Sequence, residues 1–164
     1  MRLDLKDLLR GDGALPFSCE LEPADMEYPS ISRFLSPLRA EGSIRSQAGV
    51  LSLTGSVRAQ LLCLCDRCGA EYQRAYDAPM DTVLADEHED PEDPDVFMLT
   101  DGGLELDEVI LTAFVLGLDS KMLCRPDCKG ACPRCGKNLN EGPCACQPEA
   151  DPRLAALKQL LEQD

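Results

Sequence analysis

Hydrophobic and polar residues alternate most regularly over residues 50–65. Leu51, Leu53, Val57, Ala59, Leu61 and Cys63 share one parity, while Ser52, Thr54, Ser56, Arg58 and Gln60 share the other. A period of two is the mark of a strand with one buried face, so this spacing predicts a strand, with Gly55 marking a bulge or bend. After a turn at 65–69, residues 70–78 place Tyr72, Arg74 and Tyr76 on one parity. They read as the returning strand of a hairpin with cysteines at its tip. Residues 104–119 change period: Asp107 stands as N-cap and Glu108 in the first turn, ahead of Val109, Ile110, Phe114, Val115 and Leu116. That pattern predicts a buried helix. Near the end, Asp151 as cap, Pro152 at the first helical position, and Leu154, Leu157 and Leu161 at spacings of three and four predict a short amphipathic helix that docks on its own domain. The first forty residues carry turn formers at Gly11, Gly13, Pro16, Pro23, Pro29 and Pro37, which argue against long helices. The fold expected is therefore α+β: an antiparallel sheet or partly open β-barrel over residues 15–85, a buried helix near 107–117, a cysteine-rich zinc-binding segment and a C-terminal helix. In domain terms, residues 1–120 form the core, 121–147 the cysteine-rich segment and 148–164 the terminal helix.

Charge and composition narrow the chemistry. Sixteen Lys and Arg against thirty Asp and Glu give a formal net charge of −14 over 164 residues. An average of that sign repels phosphate and argues against whole-protein attraction to nucleic acid or an anionic membrane. Seven of the ten residues 86–95 are acidic, with Pro91 and Pro94 among them, and read as a solvated loop. The single histidine, His88, lies in that loop and receives no role. The most apolar run, residues 109–118, is about half of the roughly 20 residues that span a bilayer, so it reads as core. Residues 1–13 contain Asp4, Asp7 and Asp12 and no continuous apolar run, unlike a signal peptide. A cytoplasmic protein is expected, with no membrane partner. No nucleophile–base pair, phosphate loop or paired carboxylate set emerges, and Gly102-Gly103 reads as a turn, so neither enzymatic activity nor a small-molecule substrate is expected.

The ten cysteines carry the strongest signal. In a reducing compartment they are expected as metal ligands or free thiols rather than disulfides. Eight fall in close pairs: Cys65 with Cys68, Cys124 with Cys128, Cys132 with Cys135, and Cys144 with Cys146. Two pairs share the pattern C-x-R-C-G, in which two intervening residues let both thiolates face one metal and the following Gly supplies a positive φ. Cys132, Cys135, Cys144 and Cys146 form a four-cysteine zinc candidate by themselves, leaving Cys65 and Cys68 to Cys124 and Cys128. Joining the two look-alike knuckles into one ribbon is the alternative; the shorter loop closure favours the local grouping. Iron–sulfur clusters use the same ligands. Cys19 and Cys63 stand outside the set as small buried hydrophobes. A four-thiolate site has no open position and is structural. Residues 121–140 hold Lys121, Arg125, Lys129, Arg134 and Lys137 against Asp127 alone, a local excess of +4 before thiolates are counted that leaves −18 on the rest of the chain; extended to Cys146, with Glu141, the thiolates of Cys132, Cys135, Cys144 and Cys146 and one zinc, the segment carries roughly +1. A small basic knuckle on an acidic body can contact an RNA backbone or loop, which makes those five residues the RNA-binding candidates.

These motifs resemble a known family. The C-D-R-C turn at 65–68 after a long strand, the run C-x3-C-K-G-A-C-P-R-C-G at 124–136, K-N-L-N at 137–140, Cys144-x-Cys146 and D-P-R-L-A at 151–155 resemble the YceD family over the C-terminal two thirds of the chain. These are bacterial and plastid proteins required for large-subunit ribosomal RNA to accumulate. The resemblance implies a cytoplasmic, non-enzymatic ribosome biogenesis factor acting on or near 23S ribosomal RNA or early large-subunit assembly intermediates, with a basic ribosomal protein as a further partner for the acidic body. Some members of the family lack most of these cysteines, so zinc is expected to stabilise this branch rather than to serve the shared function. Two other readings stand beside it: a zinc-stabilised protein-interaction module that docks a basic partner through its acidic surface, and a thiol oxidoreductase. The latter normally sets its first cysteine at a helix N-terminus, and neither C-x-x-C pair precedes a helical pattern.

Overall fold

A computed structural model describes residues 1–23, 28–85 and 96–146. The acidic loop 86–95 with His88 and the terminal helix expected over 151–163 lie outside these residues. The described chain runs β1 (Arg2–Asp4), α1 (Lys6–Leu9), β2 (Gly13–Leu21), β3 (Ile31–Phe34), β4 (Leu38–Gln47), β5 (Val50–Leu64), β6 (Glu71–Ala85), β7 (Val96–Met98), β8 (Gly103–Glu105) and α2 (Leu106–Leu116). β5 and β6 are the axis of the main sheet, paired without a break from Leu51↔Leu84 to Leu64↔Glu71. On its other edge β5 pairs with β4 over its first half and with β3 over Leu61–Cys63, and β2 closes that side by pairing with β4. The resulting order, β2-β4-β5-β6-β7, does not return on itself. The barrel alternative is thus replaced by an open sheet, and a mixed one, because β7 joins β6 in parallel. β1 and β8 form a separate two-stranded sheet.

The alternation read from the sequence is the burial pattern observed. Leu51, Leu53, Val57, Ala59, Leu61 and Cys63 of β5 face the core, as do Tyr76, Ala78, Met80 and Leu84 of β6. Gly55 marks a close approach and no bulge, since the β4–β5 register runs unbroken through Gly42↔Gly55. A Cβ on Gly42 would lie 2.7 Å from the Phe17 ring and 2.9 Å from the Gly55 Cα, so the ring across β2 covers a backbone contact that only glycine permits. α2 covers the inward face of the sheet. Phe114 is fully buried, its ring centroid 4.8 Å from Tyr76, 5.5 Å from Phe34 and 6.3 Å from Tyr28. The Tyr76 hydroxyl donates to the Phe114 carbonyl at 2.7 Å, tying the last helical turn to the sheet.

Two details of the helix differ from expectation. It is buried on one face only: Leu106, Val109, Ile110 and Phe114 point inward, whereas Leu116 is 74% exposed. Its N-cap position is Glu105, which makes no side-chain cap; Asp107 sits in the first turn and accepts from the Met1 ammonium. Packing of β1 against β8 brings the chain terminus to that carboxylate, and a helix N-terminus favours an acidic group there in any case. Among the described residues no helix is long and apolar enough to cross a membrane.

Candidate metal centres

The β5–β6 hairpin ends in the turn that carries Cys65 and Cys68. Gly69 donates to the Cys65 carbonyl at 2.8 Å, Cys65 donates to the Ala70 carbonyl at 2.9 Å, and Gly69 has φ +70°. Residues 132–137 repeat this geometry: Gly136 donates to the Cys132 carbonyl at 2.9 Å, Cys132 to the Lys137 carbonyl at 2.8 Å, and Gly136 has φ +72°. The glycine is required in both because a side chain at that φ would be strained. Each turn points two sulfurs to one side.

The segment after α2 then returns to the hairpin tip. Asp66 fastens it: its backbone N–H donates to the Met122 carbonyl at 2.8 Å, and its carboxylate accepts from the Met122 N–H and from the Ser30 hydroxyl, each at 2.6 Å. Arg67 adds a second fastening, donating from Nη1 to the Cys128 carbonyl at 3.1 Å and accepting from the Ala131 N–H at 2.9 Å. Arg74, facing inward from β6, pairs with Asp119 at 2.6 Å. These contacts carry Cys124 and Cys128 to Cys65 and Cys68.

Two complete sets of four sulfurs result. In Cys65, Cys68, Cys124 and Cys128, and again in Cys132, Cys135, Cys144 and Cys146, all sulfur atoms lie within 4.8 Å of one another. Cys65 and Cys128 sulfurs are 3.7 Å apart, and those of Cys68 and Cys124 3.8 Å. A disulfide would require about 2.05 Å. Four sulfurs at about 2.3 Å from one tetrahedral ion are spaced about 3.8 Å apart, so the donor set fits a single metal ion. Cys19 and Cys63 lie outside both groups: Cys63 is buried in the main core as expected, Cys19 is only half-buried against it, and both thiols are pushed up by desolvation.

Electrostatics give the same answer. Burial raises the Cys65 thiol, but N–H groups of Cys124, Cys68 and Arg67 outweigh it and hold Cys65 at about 6. Its neighbour Cys124 is pushed to about 12 by burial and by sharing protons with Cys65, Cys128 and Cys68. The side-chain amide of Asn140 lowers Cys128. In the second group the N–H groups of Cys135 and Arg134 hold Cys132 at about 6, while Cys146, sharing with Cys135, rises to about 12. Each group thus stabilises a thiolate but resists carrying several at once without a cation among them. The first group is the more enclosed, with Cys65 2%, Cys68 9% and Cys128 3% exposed, whereas Cys135 of the second is open to solvent.

The five basic candidates of residues 121–137 are all exposed. Arg125 pairs with Asp127 at 3.7 Å, and Lys137 Nζ donates to the Pro143 carbonyl at 2.9 Å. Asp66, Arg67 and Asn140, which build the surroundings of the sulfurs, are not distinguished by residue type; their place inside or between the cysteine pairs is the signal that could have found them.

Residues 53–161 match the model of a protein family described as large ribosomal RNA subunit accumulation protein YceD. An uncharacterized protein of Mycobacterium tuberculosis (strain H37Rv) is 32% identical over 117 residues, covering 69% of this chain and 56% of the relative. One of Bacillus subtilis (strain 168), YlbN, is 27% identical over 137 residues, covering 80% of this chain and 78% of the relative. The chain spans about half the length of the mycobacterial relatives it matches. No solved structure matches it.

Proposed function

The chain belongs to the YceD family, and from that membership we propose that it is a non-enzymatic ribosome biogenesis factor of the cytoplasm that supports accumulation of 23S ribosomal RNA during large-subunit assembly. Its eight paired cysteines hold two structural zinc ions, one in each four-sulfur group. The observation that carries this reading is the pair of complete sulfur sets at single-ion spacing. An iron–sulfur cluster places several atoms between its thiolates and needs a wider frame, so a single ion is favoured. When bound, zinc supplies a cross-link between the hairpin tip and the segment after α2, where only a few large apolar side chains, among them Tyr72 and Leu123, pack against the first group. The chain's own residues do the rest: Asp66 and Arg67 hold 122–131 on the hairpin tip, and the exposed Lys121, Arg125, Lys129, Arg134 and Lys137 present cations to RNA.

The contact is electrostatic and local, because the remainder of the chain is strongly acidic and disfavours phosphate elsewhere. Changing Lys129, Arg134 and Lys137 together to Glu should leave the zinc content at two per chain and weaken co-sedimentation with large-subunit precursor particles. Unchanged association with the metal retained would remove the knuckle from the RNA-contact role.

A further inference from the structure

We propose that the two four-sulfur groups form one coupled unit, in which Asn140, carried by the loop of the second group, is a positioning residue for Cys128 of the first. The proposal rests on the reading that both groups bind metal. Asn140 lies between Cys135 and Cys144 in sequence, on a 3-10 turn at Leu139–Glu141. Its side chain nonetheless reaches back to the other group: Nδ2 donates to the Cys128 sulfur at 3.2 Å. The amide orientation is set by its other partners. Oδ1 accepts from the Lys129 N–H at 2.8 Å, so the nitrogen must face the sulfur and the Asn138 Oδ1, 2.8 Å away. Asn138 in turn caps the 3-10 turn by accepting from the Asn140 N–H at 3.0 Å.

The chain path reinforces the link. Only Lys129, Gly130 and Ala131 separate Cys128 from Cys132, so ligands of the two groups are joined by a short tether. The Ala131 N–H is bonded to Arg67 of the first knuckle, and the Leu139 N–H to the Gly130 carbonyl at 2.9 Å. A metal in the second group closes the loop 135–144 and fixes the place of Asn140. Its N–H···S bond then orients Cys128 and spreads the charge of its thiolate, as outer-sphere donors do at metal sites. Loss of the second metal frees that loop and withdraws the donor from the first. Because the second group is the more exposed, it empties first, and its emptying loosens the first.

The test follows release of bound zinc from the full chain by exchange with isotopically labelled zinc in excess, which keeps both groups filled, with zinc content measured in parallel. The wild type should hold two zincs, one released fast and one slowly. Asn140→Ala should keep both zincs but speed the slow phase about tenfold, the low end for loss of such a partner. Asn140→Asp keeps the acceptor for Lys129 but has no N–H for sulfur; it should speed the slow phase at least as much, whereas a merely structural role for the turn predicts a rate near wild type. Cys144→Ser should hold one zinc and release it at the rate set by Asn140→Ala, and adding Asn140→Ala to it should change little. Cobalt(II) in place of zinc should show a shifted sulfur-to-metal charge-transfer band in both Asn140 variants. A chain that takes up no zinc overturns the metal reading and this proposal with it. Two bound zincs with a slow phase insensitive to Asn140→Asp and Cys144→Ser overturn the coupling alone.

Discussion

Replacing Asp66 by Ala tests how the segment after α2 is held to the hairpin tip. The carboxylate accepts two short bonds, from the Ser30 hydroxyl on an exposed flank and from the Met122 N–H in a half-buried one. Hydrogen bonds to a charged group contribute about 1.5–3 kcal/mol each, and exposure takes the Ser30 bond well below that range. Removing both, with the N–H of the 4% exposed Met122 left without its acceptor, should cost about 2–3 kcal/mol. Asp66→Asn should cost about 1 kcal/mol, because its oxygen still serves Met122 while the Ser30 hydroxyl rotates to accept. With a urea slope of about 2 kcal/mol per molar, the midpoint should fall by about 1 M for Ala and about half that for Asn. Urea unfolding followed by circular dichroism at fixed free zinc would measure it, since bound metal itself raises apparent stability. An Ala variant within about 0.5 kcal/mol of wild type would refute the clasp, and so would Ala and Asn variants of equal stability.

Other outcomes follow from the same contacts. Tyr76→Phe should destabilise the fold by about 1–2 kcal/mol, measured by urea unfolding, because the Phe114 carbonyl loses its donor. Burial holds the Tyr76 phenol at about 12, above its ordinary value of 10. Its stabilising contribution is therefore complete below pH 10 and is lost as pH rises toward 12. Stability measured across that window should fall more steeply for the wild type than for Tyr76→Phe. Gly117→Ala would set a Cβ 2.6 Å from that of Ala78 and against the Tyr76 hydroxyl. It should cost about 1–3 kcal/mol, and less in a Tyr76→Phe background, a non-additivity that a double-mutant cycle would read. Zinc uptake by the metal-free protein at pH 7 should release protons, since Cys124 and Cys146 stand at about 12. Titration calorimetry in buffers of different ionisation enthalpy would count them, and zinc binding without proton release would contradict the assigned thiol states.

The parts of this molecule that were legible in its sequence are those where one physical signal acts alone. β5 was visible because the apolar residues from Leu51 to Cys63 keep one parity apart from Gly55 and Leu62, and the sulfur grouping because short spacing makes local closure the least costly. The returning strand predicted over 70–78 runs on in β6 to Ala85, which takes a proline, Pro79, into the strand. It is tolerated since β7 pairs only with Val83–Ala85, leaving the far edge of β6 open at residue 79. β4 was invisible as an element: its inward positions are Leu38, Ala40, Gly42, Ile44 and Ser46, and small residues dilute the alternation. Asp107 looked like a cap because an acidic residue ahead of an apolar run usually is one, but β8 leads straight into α2, which starts at Leu106 with Glu105 in the N-cap position. The bond from Asn140 to the Cys128 sulfur joins two separate cysteine groups, and the only mark of it in the sequence is the place of Asn140 between the cysteine pairs.

The zinc content of the purified full chain, measured by elemental analysis with its thiols kept reduced, tests the central claim most directly. Two zincs per chain are predicted, one for each four-sulfur group. One zinc would contradict the two-site account, and none would contradict metal binding altogether.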